Sequence, residues 1–440
     1  MDRKKSFIKY TLLISFFTLH SSLFTLMGQE VMTAQKLFEL VEENNTALQV
    51  AKSGSESATH SISAAKSERL PDIGMSLSFS YIGNVVRTDR DFGNATGFSS
   101  PHYGNSFTLE AQQVVYSGGA LTAGINLAKI EKGLADTGET ATRNAQRFLA
   151  MAKYLELMEA DNAIRVYESN IKLTEKLIDD IKAKRQQGMA LKNDITRYEL
   201  QMETLKLGLR TMNDRRSVLN HELCNTLGLN TDIVIVPDTT LMKLTNESNE
   251  QEWQNKALLN SPDIKKADLS LLAAQQRLKL AKSDLRPKLA IFAMDNFNGP
   301  YTYDIPPLDY NFNVWYVGIG INYSLSSLFK QNKKVRKAKV DLRQSSEAKL
   351  NTEEELDNHI NEAHTLYLQA FENLKTRQKS AQLARENYDV VNNRYLNDLA
   401  LITDMTDASN IRLSAELDET NAQIRIVYAY YRMKYIAGEI

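Results

Sequence analysis

The sequence predicts an α+β membrane protein in which long α-helical coiled-coil hairpins are combined with four transmembrane β-strands per chain. Three observations support this fold class. A set of landmarks occurs twice at a nearly constant offset, several short segments alternate apolar and small polar residues, and the longest segments carry apolar residues three and four positions apart. Alternation is typical of a strand with one apolar face, and three-and-four spacing is typical of a packed helix. A duplicated unit of helix, strands and hairpin therefore organises the chain.

The composition limits the possible functions. The chain has 53 Lys and Arg residues against 54 Asp and Glu residues, a net charge of −1, and therefore no basic excess for binding nucleic acid. After the N-terminal segment, no run of 18 apolar residues is long enough for a membrane-spanning helix. A membrane role would therefore have to use strands.

Residues 1–28 are predicted to be a secretory signal peptide. Basic residues at positions 3, 4, 5 and 9 precede an apolar run over 10–27, and cleavage is expected after Gly28. The single cysteine, Cys224, lies far from this position and is expected to be a small buried apolar residue. An exported chain without disulfides depends on packing for its stability.

The repeat defines the predicted domains. Ala-Leu-x-x-Asp occurs at one hairpin turn, ending at Asp194, and again at the other, ending at Asp404, an offset of 210 positions. Upstream, Ala-Lys-Ser-x-x-x-Pro over 65–71 recurs over 281–287. We therefore predict a first repeat over 29–228, an irregular segment over 229–252 at the outside of the helical rod, and a second repeat over 253–440.

The first repeat begins with a predicted helix from Val31 to Arg69, which Pro71 ends. Apolar residues then alternate with Gly and Ser from Ile73 to Tyr81, which predicts a strand about as long as a membrane strand needs to be. After a polar loop, a weaker alternation begins at Phe107 and stops at Tyr116. Two strands and a connecting loop are therefore expected.

The second repeat has a mixed segment from Leu289 to Phe297, a loop rich in Tyr and Pro, and a clear return strand from Trp315 to Leu325. A pair of hairpins in a soluble β-sandwich is the alternative interpretation. Tyr and Trp near the strand ends favour a membrane barrel, as does the opposite face of Gly, Ser and Asn, which suits a wet lumen.

Four strands cannot close a membrane barrel, because the smallest such barrels have about eight. Open strand edges are not tolerated in lipid, so several copies of the chain must combine their strands. Two copies would give eight strands and a filled interior, whereas three would give twelve strands and a channel.

The long helical hairpin of the first repeat is predicted from Ile125 to Leu227, with its turn at 188–194, and the second hairpin turns at 398–404. Apolar residues follow coiled-coil spacing in both hairpins. About 60 residues at a rise of roughly 1.5 Å each would span about 90 Å. The hairpins are therefore expected to form a rod that reaches far from the membrane.

The sequence contains no convincing catalytic pattern. Gly318-x-Gly320 lacks a third glycine and lies inside an alternating strand, so it does not predict a dinucleotide site. His359 and His364 are five positions apart and face different sides of a helix, which argues against a metal pair. We therefore expect no enzyme activity, no cofactor and no metal.

The order of the signal peptide, helix, strand-loop-strand and long hairpin, together with the duplicated hairpin tips, resembles the TolC-like outer-membrane efflux proteins over nearly the whole mature length. The resemblance implies a homotrimer with a twelve-stranded barrel in the outer-membrane lipid of a Gram-negative bacterium. It also implies an α-helical barrel that crosses the periplasm as a passive duct for efflux or type I secretion. The tips of that barrel would dock on a periplasmic adaptor protein attached to an inner-membrane transporter.

The resemblance assigns roles to residues at the two tips. The residues implied to dock the adaptor are Gly188, Met189 and Ala190 in the first tip and Leu399, Ala400 and Leu401 in the second. Asp404 and Asp407 match paired acidic positions that ring the periplasmic entrance, and Tyr395 and Asp194 match a pair that latches it. The second tip departs from the family in having Asp398 where a glycine is usual and Ala400 where some members have a basic residue. The resemblance therefore does not imply the part of the latch that these two positions form in the family.

Each assignment has a structural alternative. An aspartate at a helix start commonly caps the free backbone amides, and Tyr395 alone would be a core residue. For the whole chain, the alternative function is a periplasmic coiled-coil adaptor or structural rod that does not span a membrane. An adaptor would normally have one hairpin flanked by soluble β-modules, whereas this sequence alternates two hairpins with membrane-type strands.

Overall fold

The computed structural model describes residues 31–238, 244–397 and 399–440. The predicted signal peptide, 1–28, and Asp398 lie outside the described residues. In chain order the elements are β1 Val31–Met32, α1 Ala34–Asn44, α2 Thr46–Ser67, β2 Asp72–Tyr81, β3 Val85–Arg87, β4 Thr96–Phe98, β5 Tyr103–Tyr116, α3 Ala120–Gln186, α4 Lys192–Leu227, β6 Val236–Pro237, α5 Glu250–Asn260, α6 Pro262–Ser283, β7 Lys288–Gly299, β8 Phe312–Asn322, α7 Ser327–Leu396 and α8 Ile402–Ile436. Two short helices, two long strands and two long helices therefore follow one another twice.

The single helix predicted from Val31 to Arg69 is wrong in two respects, because Val31–Met32 forms the short strand β1 and the helix that follows breaks at Asn45. The Asn45 side chain accepts a hydrogen bond from the backbone N–H of Leu48 at 3.0 Å and donates one to the carbonyl of Thr226 at 2.8 Å. A side chain that caps the next helix in this way ends the preceding one. The second repeat has the same break at Ser261, between α5 and α6.

The four long strands form one antiparallel sheet in the order β2, β5, β7, β8. Ile73 pairs with Ala111, Ala111 with Ala293, and Ala293 with Val317, so these side chains share one face. All four predicted strands are present, although β5 begins at Tyr103, before the predicted start, and β8 ends at Asn322, before the predicted end.

Along β2, and from Trp315 to Ile321 of β8, the face that carries Ile73 is apolar and exposed in the single chain, whereas on β7 it includes Asp295. In β2 its residues are between 60% and 77% exposed, and they are Ile73, Met75, Leu77, Phe79 and Tyr81. In β8 the exposed residues of this face are Trp315, Val317, Ile319 and Ile321. Apolar surface of this extent needs a cover, and lipid provides one.

The described chain divides into two compact units, one formed by residues up to 50, 140–261 and 355–440, and the other by 51–139 and 262–354. The sheet belongs to the second unit. The first unit has a core of buried residues that includes Leu37, Leu157, Leu223 and Ile424. Each unit contains parts of both repeats, and the predicted repeat limits stay a prediction.

Across the described ranges, none of the helices is both long enough and apolar enough to cross a membrane. Within the segment predicted to be irregular, Val236–Pro237 forms β6, which pairs in parallel with β1.

Candidate docking tips and entrance residues

The first hairpin turn is closed by backbone hydrogen bonds around a left-handed glycine. Gly188 has a φ of 76°, and the N–H of Met189 donates to the carbonyl of Lys184 at 2.9 Å. Glycine is the residue that ends helices most readily in this conformation, because it has no Cβ to clash. The chain can therefore reverse within a few residues and begin α4 at Lys192.

The described residues of the second turn repeat this backbone hydrogen bond. The N–H of Leu399 donates to the carbonyl of Arg394 at 2.8 Å, and α8 begins at Ile402. Both partners lie 210 positions after Met189 and Lys184, the same offset that relates Asp194 to Asp404. One backbone hydrogen bond of each turn is therefore related by the offset that relates the two aspartates.

Asp194 and Asp404 both cap the helix that leaves the turn. The Asp194 carboxylate accepts a hydrogen bond from the backbone N–H of Leu191 at 3.0 Å, and the Asp404 carboxylate accepts one from Leu401 at 3.1 Å. In a capping box, the side chain of the third helical residue accepts a hydrogen bond from the backbone N–H of the residue before the helix, and both aspartates form this half of the motif. The structure thus places both residues in the capping role weighed as the alternative, and their role at an entrance stays a prediction.

Asp407 lies one helical turn after Asp404, and both side chains are exposed. The neighbouring Met405 and Ala408 are buried in the tip, at 0% and 1% exposure. The helix therefore directs its apolar residues into the tip and leaves its two carboxylates at the surface.

The predicted docking residues are apolar and mostly exposed. Met189 is 52% exposed, Leu399 is 67% exposed and Leu401 is 69% exposed. Ala190 and Ala400 are partly buried against the tip core. A Cβ on Gly188 would meet no atom within 4 Å. The first tip therefore presents a small apolar surface with open space beside it, which suits the close approach of a partner, and the described residues of the second tip include two exposed leucines.

Below these turns, all four long helices contribute to one buried cluster, which we call the tip core. Its buried members are Leu177, Ile178, Ile181, Ile195, Tyr198, Met202, Tyr388, Tyr395, Met405 and Ala408. Tyr395 is 9% exposed, so it is a core residue in the single chain.

The buried phenol of Tyr198 interacts electrostatically with each of the predicted latch residues, Tyr395 and Asp194. Burial raises the pKa of the Tyr198 phenol well above its usual value, and the neighbouring Tyr395 and Tyr388 phenols and the Asp194 carboxylate raise it further. An uncharged phenol is therefore kept at the centre of the tip core. The pairing of Tyr395 with Asp194 stays a prediction.

Two basic residues at the tips were not identified from the sequence. Lys184 Nζ donates to the carbonyl of Leu396 at 2.6 Å and lies 5.8 Å from the centroid of the Tyr395 ring. Arg394 donates to the carbonyl of Leu399 at 3.2 Å. Both side chains lie at the C-terminal end of a helix, where cations are favoured by the helix dipole. A basic residue in the last turn of a predicted helix is the sequence signal that could have identified Lys184 and Arg394.

A charged network joins the two hairpins further along the helices, and the sequence did not predict it. Glu416 on α8 accepts hydrogen bonds from Arg412 at 3.0 Å, from Arg385 of α7 at 3.3 Å and from Asn170 of α3 at 3.2 Å. Burial opposes ionisation of Glu416, but these donors outweigh it and hold the pKa of the carboxyl below its usual value. Arg385 also donates to Glu419 at 2.6 Å.

Comparison with known proteins identifies the family. Residues 37–198 and 253–439 match the family model described as outer membrane efflux protein, so the match covers most of both repeats. No curated protein matches the sequence closely.

Several solved structures share the fold. The outer membrane protein VceC from Vibrio cholerae is 16% identical, with 92% of this chain and 96% of that chain covered and a TM-score of 0.75. The Campylobacter jejuni CmeC outer membrane channel is 15% identical, with 92% and 85% covered and a TM-score of 0.76. The Neisseria gonorrhoeae MtrE outer membrane channel, in an open state, is 16% identical, with 92% and 88% covered and a TM-score of 0.71.

At these identities the solved structures establish the fold, and they confirm the predicted combination of long helical hairpins and strands. The chain therefore belongs to the outer membrane efflux protein family, and it is an efflux duct of the outer membrane.

Proposed function

We propose that three copies of the chain assemble into one duct, with twelve strands in the outer membrane and the helical hairpins in the periplasm. In the described part of the chain, β2 and β8 are the edges of the sheet and each has a strand on one side only. Because unpaired edges are not tolerated in lipid, β8 of one copy must pair with β2 of the next. Three four-stranded sheets joined in this way close a barrel wide enough for a channel.

The observation that carries this proposal is the apolar row on β2 and β8. Side chains such as Phe79, at 77% exposure, and Ile321, at 75% exposure, have no cover in the single chain. A lipid-facing barrel wall covers them, whereas a periplasmic rod would leave them in water at a cost of roughly 25 cal/mol per Å². The rod is therefore the less favourable alternative.

The hairpin tips would dock on a periplasmic adaptor that is attached to an inner-membrane transporter. The exposed residues Met189, Leu399 and Leu401 support this part of the proposal, because apolar side chains beside small ones allow close helical packing. Gly188, Ala190 and Ala400 are the small residues of the two tips. Transport energy would then come from the transporter, and the duct itself would need no catalytic residue.

The narrow entrance of the duct would be formed at the same tips. Three copies of Asp404 and Asp407 would place six carboxylates around a water-filled opening. Tyr395 and Asp194 would help to hold that opening closed. A ring of carboxylates around an opening attracts cations and repels anions.

Membrane fractionation tests the proposal. The full-length protein, expressed in a Gram-negative host, should sediment with outer-membrane vesicles and migrate as a heat-modifiable trimer. It should also conduct ions when reconstituted in a planar bilayer. A soluble periplasmic species of any size would support the rod instead and would exclude the duct.

A further inference from the structure

The sheet face opposite the lipid-facing row is small and polar over much of β2 and β5, whereas its β7 and β8 part also carries large apolar residues, among them Val314 and Phe312. On β2 and β5 this face carries Ser76, Ser78, Thr108 and Ser106. Hydrogen bonds continue the polar surface onto β7, from Thr108 to Asn296 at 3.0 Å and from Ser106 to Asn298 at 2.7 Å. Further along the same face, β7 and β8 carry Phe292, Met294 and Tyr316, which we call the Phe292 cluster.

The three side chains of the Phe292 cluster hold one another in place. The rings of Phe292 and Tyr316 meet edge to face, with centroids 6.1 Å apart and planes at 79°. The Tyr316 hydroxyl donates to the sulfur of Met294 at 2.9 Å. A Cβ on Gly318 would lie only 2.7 Å from Cζ of Phe292, so the glycine provides the space into which the ring leans. The cluster is therefore a fixed apolar surface beside the polar part of this face.

A carboxylate lies beside this cluster. Glu110 on β5 pairs directly with Met294 on β7 and with Gly74 on β2, so it shares the face with the cluster. Its Oε1 would be 3.2 Å from a Cβ on Gly74, so it leans over the backbone of β2. The Glu110 side chain is exposed, and no cation in the described part of the chain forms a salt bridge with it.

We propose that Glu110 and the Phe292 cluster form a binding site in the lumen of the barrel for hydrophobic organic cations. The inference rests on the proposed assembly, in which this face lines the lumen. An aromatic face attracts a cation through its quadrupole, and a nearby carboxylate adds direct charge attraction. Tyr316 stays 43% exposed within the cluster, so a ring surface remains available to a ligand.

Charge complementarity selects this class of ligand. An organic anion of the same shape would meet the Glu110 carboxylate, and a small hydrated cation would gain little from the apolar side chains. The site thus combines one negative charge with two rings and a thioether, and it favours a ligand that is both cationic and apolar. In a trimer it would occur three times around the lumen.

Block of single-channel current tests the site. Purified full-length trimer in a planar bilayer is exposed to tetraphenylphosphonium and, separately, to tetraphenylborate, which has the same shape and the opposite charge. The phosphonium ion should block the wild-type channel and the borate ion should not. Glu110→Gln and Phe292→Leu should each raise the concentration for half-block by roughly threefold to tenfold.

Phe297→Leu is the matched control, because Phe297 is on the same strand and faces the opposite side of the sheet. It should leave the block unchanged. The unblocked potassium chloride current of each variant reports whether it assembles. Equal block by both ions, or unchanged block in Glu110→Gln and Phe292→Leu channels that still conduct, would overturn this inference alone. A wild-type protein that never conducts would overturn the proposed duct as well.

Discussion

Asp404 and Leu401 are joined by a hydrogen bond of 3.1 Å from the backbone N–H of the leucine to the carboxylate of the aspartate. Asp194 and Leu191 have the same bond at 3.0 Å in the other turn. A carboxylate in the first turn of a helix also interacts favourably with the helix dipole. Asp404 therefore stabilises its own turn in the single chain, and any effect of its replacement on ion passage has to be separated from this local effect.

The first prediction concerns this cap. Asp404→Ala should destabilise the second turn by about 0.3 to 1 kcal/mol, because the Leu401 amide loses its acceptor and the helix loses a favourable charge. Hydrogen exchange measured by mass spectrometry should show faster exchange in peptides covering 399–404. Asp407→Ala should leave exchange there unchanged. Equal exchange rates in wild type and Asp404→Ala would show that this hydrogen bond contributes nothing to the stability of the turn in the assembled protein.

The second prediction concerns ion selectivity. Six carboxylates from Asp404 and Asp407 should favour cations at the entrance, so the double variant Asp404→Ala, Asp407→Ala should lower the cation preference and the block by polyvalent cations. Asp407→Asn alone should give part of this effect without loss of the cap. Reversal potentials in planar bilayers measure the preference. An unchanged preference in the double variant would leave both residues with structural roles only.

The turns could be predicted from the sequence because they depend on local chemistry. Gly188 and the Ala-Leu-x-x-Asp pattern determine the reversal within a few positions, and the 210-residue offset relates the backbone bonds of both tips. The strands were predictable for the same reason, since alternation over 73–81 is visible without knowledge of any partner. The repeated elements and the two exposed tips could therefore be predicted from local sequence patterns.

The features that could not be predicted depend on residues distant in sequence. Asn45 breaks a helix partly through a bond to Thr226, which lies 181 positions later. Glu416 looks like an ordinary surface residue of a helix, and its partners Arg385 and Asn170 are on other helices. The spacing of charged residues along one helix does not identify such bonds. Charged residues recur with the same helical spacing whether their face of the helix meets water or another helix.

The third prediction concerns docking. Gly188→Asp should leave trimers in the outer membrane and abolish export, because it places a charge in the apolar tip surface at a position where the backbone φ is 76°. Ala400→Asp should act in the same way. Growth of cells in the presence of a toxic export substrate measures the activity. Gly188→Asn is the control, since asparagine tolerates this φ and is uncharged, and it should retain most of the export.

Two results would count against this assignment. If Gly188→Asp cells tolerated the toxic compound as well as wild type, the tip would not contact a partner. If Gly188→Asn abolished export as completely as Gly188→Asp, the shape of the turn rather than its apolar surface would be the requirement.

The fourth prediction concerns the two faces of β8. Ile319 is 70% exposed on the apolar face, so Ile319→Arg should cost about 2 to 4 kcal/mol near the middle of the membrane. Gly320 is on the opposite face, and a Cβ there would meet Phe292 at an ordinary contact distance of 3.5 Å. Gly320→Ser should therefore cost far less. The yield of heat-modifiable trimer measures assembly, and equal yields would contradict the assigned orientation of the sheet.

The last prediction concerns the network at Glu416. Its side chain is 13% exposed and accepts hydrogen bonds from residues of both hairpins. Its folded pKa is lowered, so the ionised carboxylate stabilises the folded state above the unfolded pKa of about 4.3. That stability is lost as the pH falls through the lower, folded pKa. Acidification should therefore loosen the link between the hairpins only below about pH 4.

Glu416→Gln removes the charge at every pH and should lower the free energy of unfolding by about 1 to 3 kcal/mol at neutral pH, because Arg385 and Arg412 lose a charged acceptor. The melting temperature of purified trimer, measured by intrinsic fluorescence from pH 3 to pH 7, should differ between wild type and variant by a constant amount above about pH 5. The difference should shrink below about pH 4, where the wild-type carboxyl takes up a proton. Glu203→Gln, at a glutamate with 71% side-chain exposure, is the control and should match wild type throughout. A difference that stays constant down to pH 3 would show that packing, and not the charge of Glu416, stabilises this contact between the hairpins.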